Sequence, residues 1–161
     1  MTLLTLPAQR LYIPGIFYNE IMTNILQFLT PKKFTYYLDE NCTIRQALEK
    51  FDAHRFSVVP LINDQGKYTG TVSEGDILHY IKNRAHFDVH EAEKVLIKDI
   101  EHYRPYRALY SGALLVEVFA LSLDQSFIPV VDDRDVFIGI IKRKELLSLL
   151  SDQFLPLTKE K

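Results

Sequence analysis

The sequence predicts a mixed α/β (α+β) chain: two copies of a strand-helix-strand-strand-helix unit behind an N-terminal helix. Three observations predict it. First, "SVVPLINDQGKYTGTVSEGDILHYI" aligns without a gap on "SFIPVVDDRDVFIGIIKRKELLSLL", at an offset of 69 residues (129 − 60). Pro60 falls on Pro129, Asp64 on Asp133, Tyr68 on Phe137 and Gly70 on Gly139. Second, each copy passes from short β-branched runs to a helical stripe. Third, a polar turn cluster, "NDQG" or "DDRD", sits at the same place in both. A repeat of this length is one supersecondary unit used twice.

The elements follow in chain order. "FYNEIMTNILQFL" places Phe17, Ile21, Ile25 (or Asn24) and Phe28 on one helical face, and Pro31 ends it. Its polar face carries no Lys or Arg, so it is expected to dock on the domain and not on a membrane. Thr43-x-x-Gln46 is a capping box that opens a helix with Ile44, Ala47, Leu48 and Phe51 inward. "RFSVVPLI" and "YTGTVS" read as strands around the "NDQG" turn. Ser73-x-x-Asp76 then opens a helix with Ile77, Tyr80 and Ile81 on one face.

Asp88 and Glu91 predict a short capped helix in the connection, with Val89, Ala92 and Leu96 inward. "SGALLVEVFALSL" is a helix apolar nearly all round, which implies burial against the other repeat and a second subunit; an ordinary core helix is the alternative. "SFIPVV" and "FIGIIK" repeat the strand pair, and Leu146, Leu149 and Leu150 form the last stripe. The expected division is an N-terminal segment 1–23, a first repeat 24–84, a linker helix 85–98, a second repeat 99–151 and a tail 152–161.

Composition limits the function classes. The 161 residues are 47% hydrophobic and 25% charged, with formal charge −2. That is a globular composition with no global pull toward nucleic acid or anionic membrane. "MTLLTLPAQR" has no basic segment followed by an apolar core. The longest apolar stretch is broken by Glu117 and is shorter than the ~20 residues of a membrane span. Cys42 is the only cysteine, so the chain forms no internal disulfide. A cytoplasmic protein is expected.

The motifs G-x-G-x-x-G, G-x-x-x-x-G-K-[ST], H-E-x-x-H and G-x-S-x-G are all missing from the sequence. The five histidines are scattered, and Asp88 as a cap leaves His86 off the helix that holds His90, so no metal site is expected. The chain reads as a non-enzyme.

The duplicated unit, with an apolar-Pro strand, a Gly in the return strand and Ser-x-x-Asp opening the last helix, resembles the CBS domain. "SVVPLINDQGKYTGTVSEGDIL" and "FIPVVDDRDVFIGIIKRKELL" carry the resemblance, which covers about Asn24 to Leu150. Two copies look like the tandem CBS pair, or Bateman module, and the chain is similar to stand-alone bacterial CBS-pair proteins, among them cyclic di-AMP binders. The resemblance implies a pseudo-twofold, usually homodimeric sensor. It implies an adenosine-containing ligand such as AMP, ATP or cyclic di-AMP between the repeats, and an effector protein that reads the bound state.

The residues offer matching chemistry. An adenine needs apolar walls, and Phe34, Thr35, Tyr36 and Tyr37, with Phe56, Ser57, Val58 and Pro60, are candidates in the first repeat. Asp76 matches the family's ribose-binding Asp, and Ser73 its hydroxyl position. Ser-x-x-Asp is equally a helix cap, and both roles fit one residue, since one carboxylate oxygen suffices for the cap.

In the second repeat Ser73 is replaced by Lys142 and Asp76 by Glu145, so a second ribose site of the same kind is not expected. Lys142, Arg143 and Lys144 put three cations at a helix start, an unfavourable place that a bound anion would relieve. Arg143 and Lys144 match phosphate-binding positions of the cyclic-di-AMP-binding relatives; a solvated basic turn is the alternative. The simplest combination joins first-repeat base and ribose contacts to second-repeat phosphate contacts. A ligand-free protein-interaction module is the alternative function.

Overall fold

The computed structural model describes residues 24–154. The stretch holding Phe17 and Ile21 lies outside the described residues. Within them the expected N-terminal helix is a single 3-10 turn, Ile25–Phe28, capped by the Asn24 side chain. Pro31 does not simply end it. Thr30–Pro31 forms a strand, β1, that sequence periodicity did not predict.

Two sheets follow. β2 (Leu38–Asp39), β3 (Val58–Ile62) and β4 (Tyr68–Ser73) form the first, in the order β2-β3-β4. β5 (Leu109–Tyr110), β6 (Phe127–Val131) and β7 (Phe137–Lys142) form the second, with β1 added outside β7. In each, the first strand is parallel and the third antiparallel to the central one. The helices are α1 (Ile44–His54), α2 (Glu74–Lys82), α3 (Val89–Ala92), α4 (Leu115–Ser122) and α5 (Arg143–Phe154).

The two polar turns share one construction. Asn63 Oδ1 accepts the backbone N–H of Gln65 and of Lys67, both at 3.0 Å. Asp132 Oδ1 accepts those of Arg134 and Val136, both at 2.9 Å. Gly66 and Asp135 then take left-handed φ values of 77° and 63°. These side-chain bonds to nearby backbone are why Asn and Asp favour such turns.

The helix starts follow the same local rules. Thr43 and Gln46 form the expected capping box, as do Ser73 and Asp76. Leu114 cannot cap α4, but Glu117 accepts its backbone N–H at 2.8 Å.

Each repeat has its own core. Ile44, Ala47, Phe51, Val59, Leu61, Val72 and Ile77 fill the first. Leu115, Val118, Ile128, Val130, Ile141 and Leu146 fill the second. A third cluster, Ile62, Phe127, Phe137 and Ile140 with Tyr68 and Tyr106 against it, joins the two. The turns also bond reciprocally: Phe137 N–H donates to Gly66 O at 2.9 Å and Tyr68 N–H to Asp135 O at 3.2 Å.

Several inward assignments change. Leu48, at the edge of its stripe, is exposed, as is Val89. Helix α3 is only a single turn, so of its expected stripe Ala92 alone is fully buried. Helix α4 meets the first repeat through its lead-in: Asn24 bridges to Leu114, and Ile25 packs in the same core. Leu115 and Val118 face its own sheet beside Ile25, while Leu114, Val116 and Leu123 face outward.

The segments that enter each sheet are exchanged. Residues before β2 cross onto the second repeat, where Thr30 and Pro31 pair with Ile140 and Gly139. Residues before β5 cross onto the first repeat, where Tyr106 N–H donates to Thr71 Oγ1 at 3.0 Å. Each repeat thus lends its lead-in segment to its partner.

Candidate functional site

The return strand of each repeat runs straight into a helix, and this junction positions the candidate polar groups. In the first repeat, Ser73 closes β4 and Asp76 lies in the first turn of α2. Asp76 Oδ2 accepts both Ser73 N–H and Ser73 Oγ–H at 2.8 Å. Ser73 Oγ in turn accepts Asp76 N–H at 3.1 Å. The other carboxylate oxygen is not free. Asp76 Oδ1 accepts the backbone N–H of Tyr103, from the second repeat's lead-in, at 3.0 Å. Asp76 is 7% exposed and sits in the first turn of α2.

The Tyr103–Arg107 stretch is the neighbour of Asp76 that sequence reasoning missed. Tyr68, half-buried in β4, donates its hydroxyl to Tyr106 O at 2.5 Å. Burial pushes the Tyr68 phenol well above its ordinary pKa, with Thr71 pulling weakly the other way. The Gln125 side chain holds Arg107 at both ends, accepting its N–H at 2.8 Å and donating to its carbonyl at 3.0 Å. The Tyr106 ring lies 5.0 Å from that of Phe127.

The missed signal is "HYRPYRAL", the counterpart of "PKKFTYYL". Leu38 and Leu109 occupy equivalent ladder positions, opposite Leu61 and Val130. Their offset is 71 (109 − 38), two residues off the repeat's gapless register. Helix α1 has 11 residues and α4 only 8, which is where the second repeat shortens.

The first-repeat aromatics form a cluster of their own. The Tyr36 ring lies tilted against His54, with centroids 4.3 Å apart, and against Phe56 at 5.4 Å. Burial raises the Tyr36 phenol pKa, and the nearby Cys42 adds to this. Tyr37 meets Phe137 edge-on at 6.1 Å. Phe34 is exposed beneath the Lys33 ammonium. Thr35 is buried, and its hydroxyl closes its own loop by donating to Thr30 O and Pro31 O. Ser57 is exposed, and its carbonyl accepts Glu74 N–H at 3.1 Å. Val58 is half-buried opposite Ser73, and Pro60 is buried opposite Thr71. Strand β2 pairs only with Leu61 and Ile62, so the edge of β3 at Pro60 needs no N–H on that side.

The basic run stands at the equivalent junction of the second repeat. Arg143 N–H donates to Ser126 O at 3.0 Å, as Glu74 does to Ser57. Lys142 and Lys144 are exposed. Lys142 Nζ lies 3.9 Å from Glu145 Oε1, and among the described residues the Arg143 side chain reaches only Ser122 O, at 3.5 Å. These cations keep most of their hydrogen-bonding capacity. Lys142 closes β7, the strand on which Thr30 and Pro31 lie, and Arg143 and Lys144 open α5.

The two junctions are therefore chemically different. One offers a buried carboxylate beneath the Tyr103–Arg107 stretch. The other offers cations at the end of the strand that carries the Thr30–Phe34 stretch. Of the two lead-ins, the second bonds Asp76, through the Tyr103 N–H. Among the described residues no group of three His, Cys, Asp or Glu side chains is placed to hold a metal. No helix there is long and apolar enough to cross a membrane.

Comparison with known proteins fits this geometry. The solved structure of CbpB in complex with c-di-AMP superposes with a TM-score of 0.75 at 23% identity, over 88% of this chain and 93% of that one. CBSX2 in complex with AMP superposes with a TM-score of 0.62 at 20% identity, over 80% and 96%. A homoserine O-acetyltransferase of Methanohalophilus mahii is 30% identical over 113 residues, 70% of this chain and 22% of that protein. The chain spans about a quarter of the length of the curated relatives it matches, 22% and 26%. The family described as CBS domain matches residues 20–83 and 97–152, one match to each repeat. With two such units exchanging lead-in segments across a shared core, the chain belongs to the CBS domain family as a tandem pair.

Proposed function

We infer that this chain is a non-catalytic regulatory module that binds an adenosine-containing nucleotide of the AMP, ATP or cyclic di-AMP class between its repeats and signals to a partner protein. The observation that carries it is Asp76, a buried carboxylate at a helix N-terminus where the two repeats meet. Such a group suits a ribose hydroxyl. The exposed cations Lys142 and Lys144, with Arg143, suit phosphate, and the Tyr36–Phe56 aromatics suit a base. Fold neighbours bound to c-di-AMP and to AMP support the ligand class. The curated relatives carry a matching segment inside much longer chains, which supports a role beside another activity.

Pairing of two copies fits the same reading. Leu78 on α2 and Leu147 on α5 are equivalent positions, and each is 57% exposed. The pseudo-twofold thus presents the same apolar knob twice on one molecule, suited to an isologous homodimer.

The test is thermal unfolding of ligand-stripped protein with AMP, ATP, S-adenosylmethionine, cyclic di-AMP and a GTP control. Ligand at ~100 times its dissociation constant adds about 2.7 kcal/mol to the native state, a rise of several degrees at about 2–4 °C per kcal/mol. The expected result is a rise with an adenine compound and none with GTP. No rise with any of them would overturn the reading in favour of a ligand-free interaction module.

A further inference from the structure

Asp76 has fewer free acceptor positions than a ribose diol requires. An ionised carboxylate offers about four. Three are taken, by Ser73 N–H, Ser73 Oγ–H and Tyr103 N–H. One hydroxyl fits in the position that remains; a vicinal pair does not. The two Ser73 bonds start helix α2 and are local. The Tyr103 bond is the one that can yield.

The stretch that supplies it is built more loosely than its counterpart. Thr30–Pro31 is held to β7 by strand pairing. Tyr103–Arg107 is held to the first repeat by side chains: Asp76 on Tyr103 N–H, Thr71 on Tyr106 N–H, and Tyr68 on Tyr106 O. Its one packed side chain is Tyr106, against the shared core beside Phe127; Tyr103 is 79% exposed, and Arg104, Pro105 and Arg107 are exposed too. Beneath it, a Cβ added at Gly70 would meet Pro105 only at 3.7 Å, an ordinary contact. The crossing lacks the interlock found at β1.

Building on the nucleotide reading of this site, we propose that the bond from Tyr103 to Asp76 sets ribose selectivity. With Tyr103 docked, the site admits a ribose with one free hydroxyl, as in a cyclic dinucleotide whose 3′ oxygens are esterified. A ribose with a free 2′,3′-diol, as in AMP, binds fully only when the Tyr103–Arg107 strap lets go. Gln125 grips Arg107 next to β5, so release feeds directly into the second repeat.

The experiment is amide hydrogen exchange over residues 101–107 of the full chain, with AMP, 3′-deoxyadenosine 5′-monophosphate and cyclic di-AMP as probes. AMP is expected to speed exchange there, while the single-hydroxyl probes leave it unchanged or slow it. Thr71→Val removes one anchor of the strap and keeps its strand propensity. It should tighten AMP about fivefold, the worth of one hydrogen bond taken from the cost of release, and leave cyclic di-AMP unchanged. Tyr68→Phe removes a second anchor and should act in the same direction. Equal effects of the variants on AMP and cyclic di-AMP, with AMP slowing exchange over 101–107, would overturn the selectivity role while leaving the nucleotide site intact. Binding of none of the probes would overturn the site itself, and the selectivity role with it.

Discussion

Gly139 lies so close beneath Thr30 that a Cβ there would stand 2.2 Å from the Thr30 carbonyl oxygen, and 3.1 Å from Pro31 Cα. The glycine is what lets the lead-in of the first repeat lie flat on β7. Its φ of 154° is also one that side chains disfavour. Gly139→Ala should therefore destabilise the fold by roughly 3 kcal/mol or more. Gly70→Ala, strained at φ 149° but not in collision, should cost about 1–2 kcal/mol. Urea unfolding of the two variants checks the order.

Asp76→Asn should weaken nucleotide binding and also destabilise the free protein. Both Asp76 oxygens face N–H or O–H donors, so an amide NH2 on either side leaves donor facing donor. The cost is about 1–3 kcal/mol. Unchanged stability in urea, with unchanged affinity in calorimetry, would remove Asp76 from both roles.

Arg143→Ala should lower the affinity for phosphorylated ligands about tenfold and leave adenosine binding alone, as a charge-assisted contact to phosphate would. The only partner of its side chain among the described residues is a long contact to Ser122 O, at 3.5 Å, so little stability should be lost. Titration calorimetry with AMP and adenosine separates the two effects. An equal loss for both would sink the phosphate assignment.

Alkaline pH should unfold the protein in part through Tyr68. Burial raises its pKa in the folded state, so the phenol stays protonated there while the unfolded chain ionises near its ordinary value of 10.0. The stabilisation is complete below pH 10 and is lost as the pH climbs beyond it. Tyr68→Phe should be less stable at neutral pH, having lost the bond to Tyr106 O, yet show a shallower decline above pH 10. Urea midpoints from pH 8 to 11 would show whether the two slopes differ.

Leu147→Asp should leave the fold intact and shift the chain toward monomer. Leu147 is exposed on α5 while its neighbour Leu146 is fully buried, so the substitution touches surface and not core. Sedimentation of Leu147→Asp against wild type measures the shift; a monomeric wild type would remove the dimer from the reading.

Local chemistry alone determined much of this protein. The repeat, the paired polar turns, the capping boxes at Thr43 and Ser73 and the strand pair of each unit were legible because each depends on residues a few positions apart. Asn63 and Asp132 bond their own loops, and Ser73 and Asp76 bond each other, whatever the rest of the chain does. The junction carrying Asp76 and its basic counterpart at Lys142–Glu145 were likewise visible as a departure between two copies.

Only the tertiary structure decided what those junctions face. Thr30–Pro31 carries no strand periodicity, being two residues long with a proline, and it becomes a strand because Gly139 leaves room for it. Tyr103 reaches Asp76 through a backbone N–H, a group every non-proline residue owns and no side-chain pattern reveals. The helix apolar all round announced burial, but that Ile25 of the first repeat's lead-in covers part of it was decided by the fold: a stripe records how much surface wants burial, not which neighbour covers it. The exchange of lead-in segments between repeats pairs groups 27 positions apart at Asp76 and Tyr103. It is fixed by the packing of two sheets on a common core, which a reading of local periodicity does not contain.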